Sequence, residues 1–295
     1  MKKITAEYKL DEYEINNLLG KFAEKKHFDQ IIDYDCQVHT QAGKPVLYFI
    51  KDYIKPEILK TAYESMLKAA QPTNNRVAAS GGKRVTRLLD DGTLSRSTQS
   101  DTTVESGIAG YFDRNAHYDF CRTTSFTKNN LEKFEAALPL FKAVDCGFEN
   151  FVPDAYKKQK EMALATHPNY IIKDTAFTTI TINKNYRTAY HYDAGDYPQG
   201  FGNLVAYCRD IEPMYLVLPK YGVAVHLSTN DLLLVDVHEL HGNTTFIPNG
   251  PDPVRLSFVM YYREKMYKCL KPSEELKRIQ TNKRRTAQKY IGGNI

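Results

Sequence analysis

The stretches Tyr190-His191-Tyr192-Asp193 and Glu239-Leu240-His241-Gly242 decide both the fold and the chemistry that the sequence predicts. His191 and Asp193 are two residues apart, so at the end of a β-strand their side chains point to the same face of the sheet. His241 adds a second imidazole. Two imidazoles and one carboxylate occupy one face of an octahedral metal and leave the other positions open, which is the ligand set of non-haem Fe(II) oxygenases. The sequence therefore predicts an Fe(II) site.

His238 is a rival for the third ligand position, because it lies on the same short segment as His241. The spacing alone leaves both histidines open. The alternative role for His238 is a polar residue that lies beside the site without binding the metal.

A strand pattern of period two predicts the cosubstrate site further along the chain. The alternation places Val254, Leu256, Phe258, Met260 and Tyr262 on one face and Arg255, Ser257, Val259, Tyr261 and Arg263 on the other. The second face is costly to bury unless a ligand satisfies it. A guanidinium fork binds carboxylates with two hydrogen bonds, so Arg255, helped by Ser257, suits the distal carboxylate of 2-oxoglutarate. The alternative is an outward Arg255 in a surface salt bridge.

Short strands separated by Pro, Gly and Asn turns follow from residue 173 onward. Together with such a metal site they predict an α+β protein with a mostly β core, a double-stranded β-helix (jelly roll, cupin-like) with helices packed on the outside. We expect a single catalytic domain over 1–295, composed of an N-terminal extension (1–45), a helical and loop elaboration (46–172), the jelly-roll catalytic core (173–265) and a basic C-terminal tail (266–295).

Residues 71–106 are polar, basic and rich in turn signals, which predicts a long loop with a function of its own or a mobile surface loop. Cations in such a loop can hold phosphates. The candidates for contact with a DNA backbone are Lys83, Arg84, Arg87 and Arg96.

The composition, 42% apolar and 25% charged residues with a net charge of +5, is that of an ordinary globular protein and permits a polyanionic partner without requiring one. We find no apolar run that could span a membrane and no signal-peptide core at the start of the sequence. The five scattered cysteines favour a reducing cytosol and argue against a disulfide framework. We therefore expect a cytoplasmic monomer with no membrane attachment and no obligate protein partner.

Several segments resemble the TET/J-binding-protein family of DNA-base dioxygenases, over about residues 45–265. They are Glu239–Thr245, Pro253–Tyr261, Val152–Gln159, Gly110–Arg114 with Cys121–Thr124, and Thr73–Arg76. The segment after His241 matches the family's third-ligand segment, which favours His241 over His238. The resemblance lacks the cysteine-rich zinc region of TET enzymes, and the compact form is typical of a phage or bacterial member.

The resemblance implies hydroxylation of the methyl group of a 5-methylpyrimidine in DNA, 5-methylcytosine or thymine, after the base is flipped out of the duplex. It implies Fe(II), with 2-oxoglutarate and O₂ as cosubstrates, and a second cosubstrate contact from Arg76. By the same matching, Asp196, Tyr261 and Arg263 fall in the base pocket. Leu216 stands where TET enzymes carry a histidine that contacts the cosubstrate, so base preference and extent of oxidation are not transferred.

Two other functions remain open from the sequence. One is a 2-oxoglutarate dioxygenase that acts on a protein side chain or a free nucleoside. The other is a non-catalytic jelly-roll module that binds DNA and keeps a vestigial metal site.

Overall fold

Two large β-sheets, a small two-stranded sheet and a layer of helices make up the protein in the computed structural model. It describes residues 1–115 and 118–291, and the side chains at 96–97 and 282–291 lie outside this description. The strands, in chain order, are β1 (Lys2–Ala6), β2 (Gln30–Ile32), β3 (Cys36–Thr40), β4 (Pro45–Ile50), β5 (Gln71–Thr73), β6 (Arg84–Leu88), β7 (Leu94–Ser100), β8 (Val104–Phe112), β9 (Arg122–Thr123), β10 (Thr179–Lys184), β11 (Gly202–Arg209), β12 (Tyr215–Leu218), β13 (Val223–His226), β14 (Leu232–Val235), β15 (Gly242–Asn243) and β16 (Val254–Tyr261). The helices are α1 (Glu12–Leu18), α2 (Pro56–Met66), α3 (Ser125–Asn129), α4 (Leu131–Ala136), α5 (Leu138–Phe151), α6 (Pro153–Ala165) and α7 (Pro272–Ile291).

The larger sheet has ten strands in the order β1-β3-β4-β14-β11-β16-β10-β8-β5, with β9 paired to β8. The smaller sheet has four strands in the order β15-β12-β13-β2. Strand β16 lies in the middle of the larger sheet, antiparallel to both β10 and β11. The residues that alternate along β16 are therefore held on both sides by backbone hydrogen bonds, which fixes the face to which each side chain points.

Strand β14 shows how the layers are arranged, because all four of its residues are buried. Leu232 and Leu234 belong to the apolar cluster that the larger sheet forms with the outer helices. Leu233 and Val235 belong to the cluster formed with the smaller sheet. Successive side chains of a strand point to opposite faces, so the larger sheet is covered on both sides. The predicted α+β class, with a β core and outer helices, is confirmed.

The prediction of a long loop over residues 71–106 was wrong, because the segment contains strands. Strands β6 and β7 form a two-stranded antiparallel sheet of their own, closed by a turn at Gly92, which has a positive φ of 79°. The many Thr, Ser and Arg residues of this segment are typical of a polar loop, although Thr and Val also suit the strands of an exposed hairpin. The polarity reflects exposure of the strands and not absence of structure.

Cys121 and Cys269 form a disulfide, contrary to the expectation of unpaired cysteines. The two residues are 148 positions apart, so their pairing depends on the tertiary fold and leaves no local spacing pattern. Cys36, Cys146 and Cys208 are free thiols. Among residues 1–115 and 118–291, every helix is too short or too polar to cross a bilayer.

Candidate active site

A cavity of about 160 Å³ opens between the two sheets. Its wall contains residues of β10, β11 and β16 from the larger sheet and of β12 and β15 from the smaller one. Nine of the predicted site residues line it: His191, Asp193, His241, Arg255, Ser257, Arg76, Asp196, Tyr261 and Arg263. Leu216 also lines the cavity, so an apolar side chain occupies the position that the resemblance singled out.

Two backbone segments bring His191, Asp193 and His241 together. The N–H of His191 donates to the carbonyl of His241 over 3.0 Å, and the N–H of His241 donates to the carbonyl of His191 over 3.1 Å. This bridge sets the imidazole centroids 4.5 Å apart. Gly242 allows the approach, because a Cβ there would lie 3.0 Å from the Tyr190 ring and main chain.

The ligand atoms of the three residues lie within 4.8 Å of one another. The nearest approaches are 3.4 Å from His191 Nε2 to Asp193 Oδ1 and 3.8 Å from His241 Nε2 to Asp193 Oδ2. His191 Nδ1 donates to the carbonyl of Ala189 over 2.8 Å, and His241 Nδ1 donates to the carbonyl of Glu239 over 3.0 Å. A carbonyl only accepts, so both Nδ1 atoms carry hydrogen and both Nε2 atoms are directed to the centre as metal-binding imidazoles.

The protonation states suit a cation at this centre. Burial, reinforced by the charge of His191, lowers the pKa of His241 to about 4, so this imidazole is neutral at pH 7. Burial would raise the pKa of Asp193, but the hydrogen bond from His191 and the charges of both histidines outweigh it and lower the pKa. Burial lowers the pKa of His191, but the contact with Asp193 outweighs it, so the pKa is raised. A metal ion would replace the proton that His191 and Asp193 share.

His238 lies outside this cluster. Its Nδ1 pairs with Asp236 Oδ1 at 2.9 Å, and Asp236 in turn binds Lys44 at 2.7 Å. The geometry therefore brings together the residues of the Fe(II) prediction with His241, not His238, as the third member.

Arg255 is a second charged residue in the wall of the cavity. Its side chain is 4% exposed, and its Nε has no hydrogen-bond partner among the described residues. Burial lowers the pKa of its guanidinium. A buried cation without a counter-charge is costly, and a bound carboxylate would remove that cost. The donor set thus fits the distal carboxylate of a 2-oxoacid, with the buried Ser257 on the same face of β16.

Tyr186 is a site residue that the sequence did not reveal. It lines the cavity, and its buried hydroxyl has no hydrogen-bond partner among the described residues, as with Arg255 Nε. Its position just after β10, on the path to His191, was the only available signal. Arg76 reaches the cavity from another side, where its Nε donates to Ser106 Oγ over 2.8 Å and its Nη2 donates to the carbonyl of Gly107 over 3.3 Å.

Arg263 is a third arginine in the wall of the cavity, after Arg255 and Arg76. Its Nε donates to Asp113 Oδ1 over 2.6 Å, and its guanidinium carbon lies 3.9 Å from the centroid of the Phe112 ring. Gly195 leaves room for the fork, because a Cβ there would lie 3.2 Å from Arg263 Nη2. Sequence analysis missed Asp113, which lies on a distant segment. The bond to Asp113 fixes the guanidinium through its Nε, so we refer to it as a held guanidinium. Its outer nitrogens are the atoms that can donate to a ligand.

Asp196 and Tyr261 lie beside Arg263. Asp196 pairs with Arg263 through the backbone as an isolated antiparallel bridge. Burial, and then the charge of Asp193, raises the pKa of Asp196 well above its ordinary value against the opposing effect of Arg263. The hydroxyl of Tyr261 lies 3.2 Å from Thr181 Oγ1. A carboxyl group, a phenol hydroxyl and a guanidinium therefore all line this part of the cavity.

Of the four predicted DNA-backbone cations, Lys83, Arg84 and Arg87 do not line the cavity. Lys83 precedes β6, and Arg84 and Arg87 lie on it with exposed side chains. Arg96 lies on β7, and its side chain is outside the described residues.

Comparison with known proteins gives a family match over the same region. The profile of the Tet_JBP family, described as the oxygenase domain of the 2OGFeDO superfamily, matches residues 107–264. The chain is 29% identical over 88% of its length to the "Bifunctional helicase and thymine dioxygenase JBP2" of Trypanosoma cruzi, and 35% identical over 54% of its length to the "Thymine dioxygenase JBP1" of Trypanosoma brucei brucei. It spans only 24% and 19% of these relatives' own lengths.

The fold is similar to that of a solved structure, NgTET1 in complex with 5mC DNA. The TM-score is 0.53 with 12% sequence identity, and the match covers 88% of each chain. At this identity the likeness concerns the fold.

Proposed function

Because the chain belongs to the Tet_JBP family of Fe(II)- and 2-oxoglutarate-dependent oxygenases, we propose that it hydroxylates the methyl group of a 5-methylpyrimidine, thymine or 5-methylcytosine, in DNA. One observation carries the proposal: a single cavity joins a His-Asp-His cluster, a buried arginine whose Nε has no partner among the described residues, and a polar end with a held guanidinium. The names of the relatives, thymine dioxygenases, support a pyrimidine methyl group as the target.

In this proposal His191, Asp193 and His241 hold Fe(II). When bound, Fe(II) would supply the oxidising chemistry by which one atom of O₂ enters a methyl C–H bond, while the other atom enters succinate as 2-oxoglutarate loses CO₂. Arg255 binds the distal carboxylate of 2-oxoglutarate and is assisted by Ser257 and the hydroxyl of Tyr186. Arg76 approaches from the Ser106 side and adds positive charge where the cosubstrate carboxylates gather.

The base lies at the other end, against Asp196, Tyr261 and Arg263. A base inside a duplex cannot reach a cavity between two sheets, so it must leave the stack. Arg263 donates to a carbonyl oxygen of the pyrimidine. A carboxyl oxygen of Asp196 accepts a hydrogen bond from thymine N3–H or from cytosine N4–H, and so does not by itself choose between the two bases.

Lys83, Arg84, Arg87 and Arg96 hold phosphates of the substrate strand outside the cavity. A DNA substrate places the protein in the compartment that contains the DNA, which for a bacterial or phage protein is the cytoplasm.

Nucleoside mass spectrometry tests the proposal. The purified protein is incubated with Fe(II), 2-oxoglutarate and O₂ on oligonucleotides that contain thymine, with or without 5-methylcytosine. We expect the gain of one oxygen atom on one of the two bases. A gain on neither base, with 2-oxoglutarate still converted to succinate, would contradict the proposal and favour a protein or free-nucleoside substrate. Absence of both reactions would favour the non-catalytic DNA-binding module.

A further inference from the structure

The β6–β7 hairpin, residues 84–100, carries an unusual set of exposed apolar side chains. All five residues of β6 are exposed. Leu88 is 63% exposed and Leu94 is 66% exposed, and the two residues pair across the strands next to the turn. Leu89, which follows Leu88, and Val85, which pairs with Gln99 nearer the base of the hairpin, are also exposed. Single exposed leucines are ordinary on protein surfaces, but a group of four large apolar side chains on one small hairpin indicates a contact with a partner.

The hairpin starts from the wall of the cavity. Ala79 lines the cavity, and its carbonyl accepts a 2.7 Å hydrogen bond from the N–H of Ala189, two residues before the ligand candidate His191. Ser80 and Ser100, at the two ends of the hairpin segment, join through a buried 2.6 Å hydrogen bond between their hydroxyls. The base of the hairpin is therefore fixed next to the site.

The reach of the hairpin matches a double helix. Five residues of strand extend roughly 17 Å at about 3.3 Å per residue. That length exceeds the depth of the major groove of B-DNA, about 8.5 Å. A hairpin that starts beside the cavity can therefore extend into the base stack from which a target base is removed.

The charges along the hairpin change from its base to its turn. Lys83 and Arg84 lie at the base and Arg87 lies in the middle, whereas Asp90 and Asp91 form the turn. The Asp91 carboxylate accepts hydrogen bonds from the N–H and the hydroxyl of Thr93. Cations near the cavity suit phosphates, and acids at the turn oppose them. This order favours a partner with a charged outer edge and an uncharged interior, which is the arrangement of duplex DNA.

We propose that the β6–β7 hairpin is a duplex-opening wedge. Leu88 and Leu94 enter the stack and occupy the space that the target base leaves, while Lys83, Arg84 and Arg87 hold the flanking phosphates. Removal of a base from its stack costs a few kcal/mol, and apolar side chains are the groups that proteins insert where base steps are unstacked. The inference rests on the proposed function, because it requires a DNA base as substrate.

Substitution of both leucines tests the wedge. The double variant Leu88→Ser, Leu94→Ser is compared with the wild type on duplex and single-stranded oligonucleotides of the same sequence. A single strand has no partner strand to separate from. We therefore expect duplex turnover to fall at least about tenfold while single-strand turnover stays within about twofold. With 2-aminopurine next to the target base, we expect the fluorescence increase on binding to the duplex to be lost.

The control variant is Leu164→Ser, which removes a leucine that is 77% exposed on α6, and we expect it to act as wild type on both substrates. Single substitutions at Leu88 and Leu94, with thermal unfolding of each variant, show whether a loss comes from misfolding. Unchanged duplex turnover in the double variant overturns the wedge alone, and so does an equal loss on both substrates. A wild type that oxidises neither thymine nor 5-methylcytosine overturns the wedge together with the proposed function. A wild type active only on single strands overturns the wedge and leaves the function standing.

Discussion

The cavity and the β6–β7 hairpin are neighbours in the structure and are built in opposite ways. In the cavity, polar groups are buried and fixed by other buried groups: both imidazole Nδ1 atoms donate to backbone carbonyls, and Arg263 Nε donates to Asp113. On the hairpin, apolar groups are exposed, and the hydrogen bonds of the strands connect them mainly to each other. The side chains of the cavity are positioned before a ligand arrives, whereas those of the hairpin gain contacts only with a partner.

This difference follows from what each region has to do. Chemistry at a metal requires ligands held to a fraction of an ångström before the substrate arrives, so their cost is met during folding. A contact with a macromolecule can be completed on binding, and an isolated two-stranded hairpin is only marginally stable in water. Substitutions in the cavity should therefore change folding, or change catalysis on every substrate. The effects of substitutions on the hairpin should instead depend on whether the DNA is a duplex or a single strand.

The largest effect should follow from His241→Ala. Loss of one of three ligands should lower iron affinity by at least about 100-fold, since even partners outside the ligand shell contribute 10–100-fold. Iron content by mass spectrometry and succinate formation measure the effect on every DNA form. The matched control is His238→Ala, which removes a histidine paired with Asp236 outside the cavity and should retain iron. Retention of iron by His241→Ala, with its loss in His238→Ala, would show that the third ligand is wrongly assigned.

Arg255→Met should have opposite effects on folding and on cosubstrate binding. It removes a buried cation whose Nε has no partner, so the free protein should become more stable by roughly 1–4 kcal/mol. Binding of 2-oxoglutarate should weaken by about 2–5 kcal/mol, which raises its KM at least about 30-fold. Thermal unfolding with and without 2-oxoglutarate measures both effects. The exposed Arg209→Met serves as control. A destabilised Arg255→Met protein that 2-oxoglutarate still stabilises would mean that Arg255 has another partner.

The predictable part of the site was the part with a local pattern. The His-x-Asp pair and the alternation of β16 depend on neighbours along the chain, and strand geometry converts that spacing directly into a shared face. The structure accordingly places Arg255, Ser257 and Tyr261 in one cavity wall. The α+β class followed from the same alternation, repeated over the strands from residue 173 onward.

The unpredicted part has no local pattern. Asp113 binds Arg263 across 150 positions, and Cys121 pairs with Cys269 across 148, so only the tertiary fold brings these residues together. The hairpin was not predicted for a different reason. All five residues of β6 are exposed, so the alternation of buried and exposed residues that identifies a strand is absent there.

Asp113→Asn tests whether the held guanidinium reads the base. The variant keeps the shape of the side chain and removes the charge that fixes Arg263 Nε. A hydrogen bond between charged groups contributes about 1.5–3 kcal/mol, so kcat/KM for DNA should fall at least about tenfold. The KM for 2-oxoglutarate should not change, and the ratio of turnover on thymine to turnover on 5-methylcytosine should shift. Asp174→Asn, in an exposed pair with Lys142, provides the control. An unchanged ratio with a raised KM for 2-oxoglutarate would place Arg263 at the cosubstrate.

The smallest effect should come from Glu275→Gln. This variant tests whether the segment that packs against Arg263 is stabilised by a residue outside the cavity. Glu275 is buried at the start of α7 and accepts hydrogen bonds from Arg114 and from the N–H groups of Cys121 and Leu270. Cys121 precedes Arg122, whose guanidinium lies 5.0 Å from the centroid of the Phe112 ring that supports Arg263.

Burial raises the pKa of Glu275, but these hydrogen bonds, the one from Arg114 first, outweigh it and lower the pKa below its ordinary value. A lowered pKa means that the carboxylate stabilises the fold above the pKa of the unfolded chain, about 4.3, and that this contribution is lost as the pH falls through the folded-state pKa. We therefore expect Glu275→Gln to lose about 1–3 kcal/mol of unfolding free energy at pH 7, and its difference from the wild type to shrink below about pH 4. Urea unfolding across this range measures both, with the exposed Glu274→Gln as a control that should change stability by less than about 0.5 kcal/mol. If the difference stayed constant with pH, the contribution would come from packing and not from charge, and the segment that packs against Arg263 would not depend on the buried carboxylate.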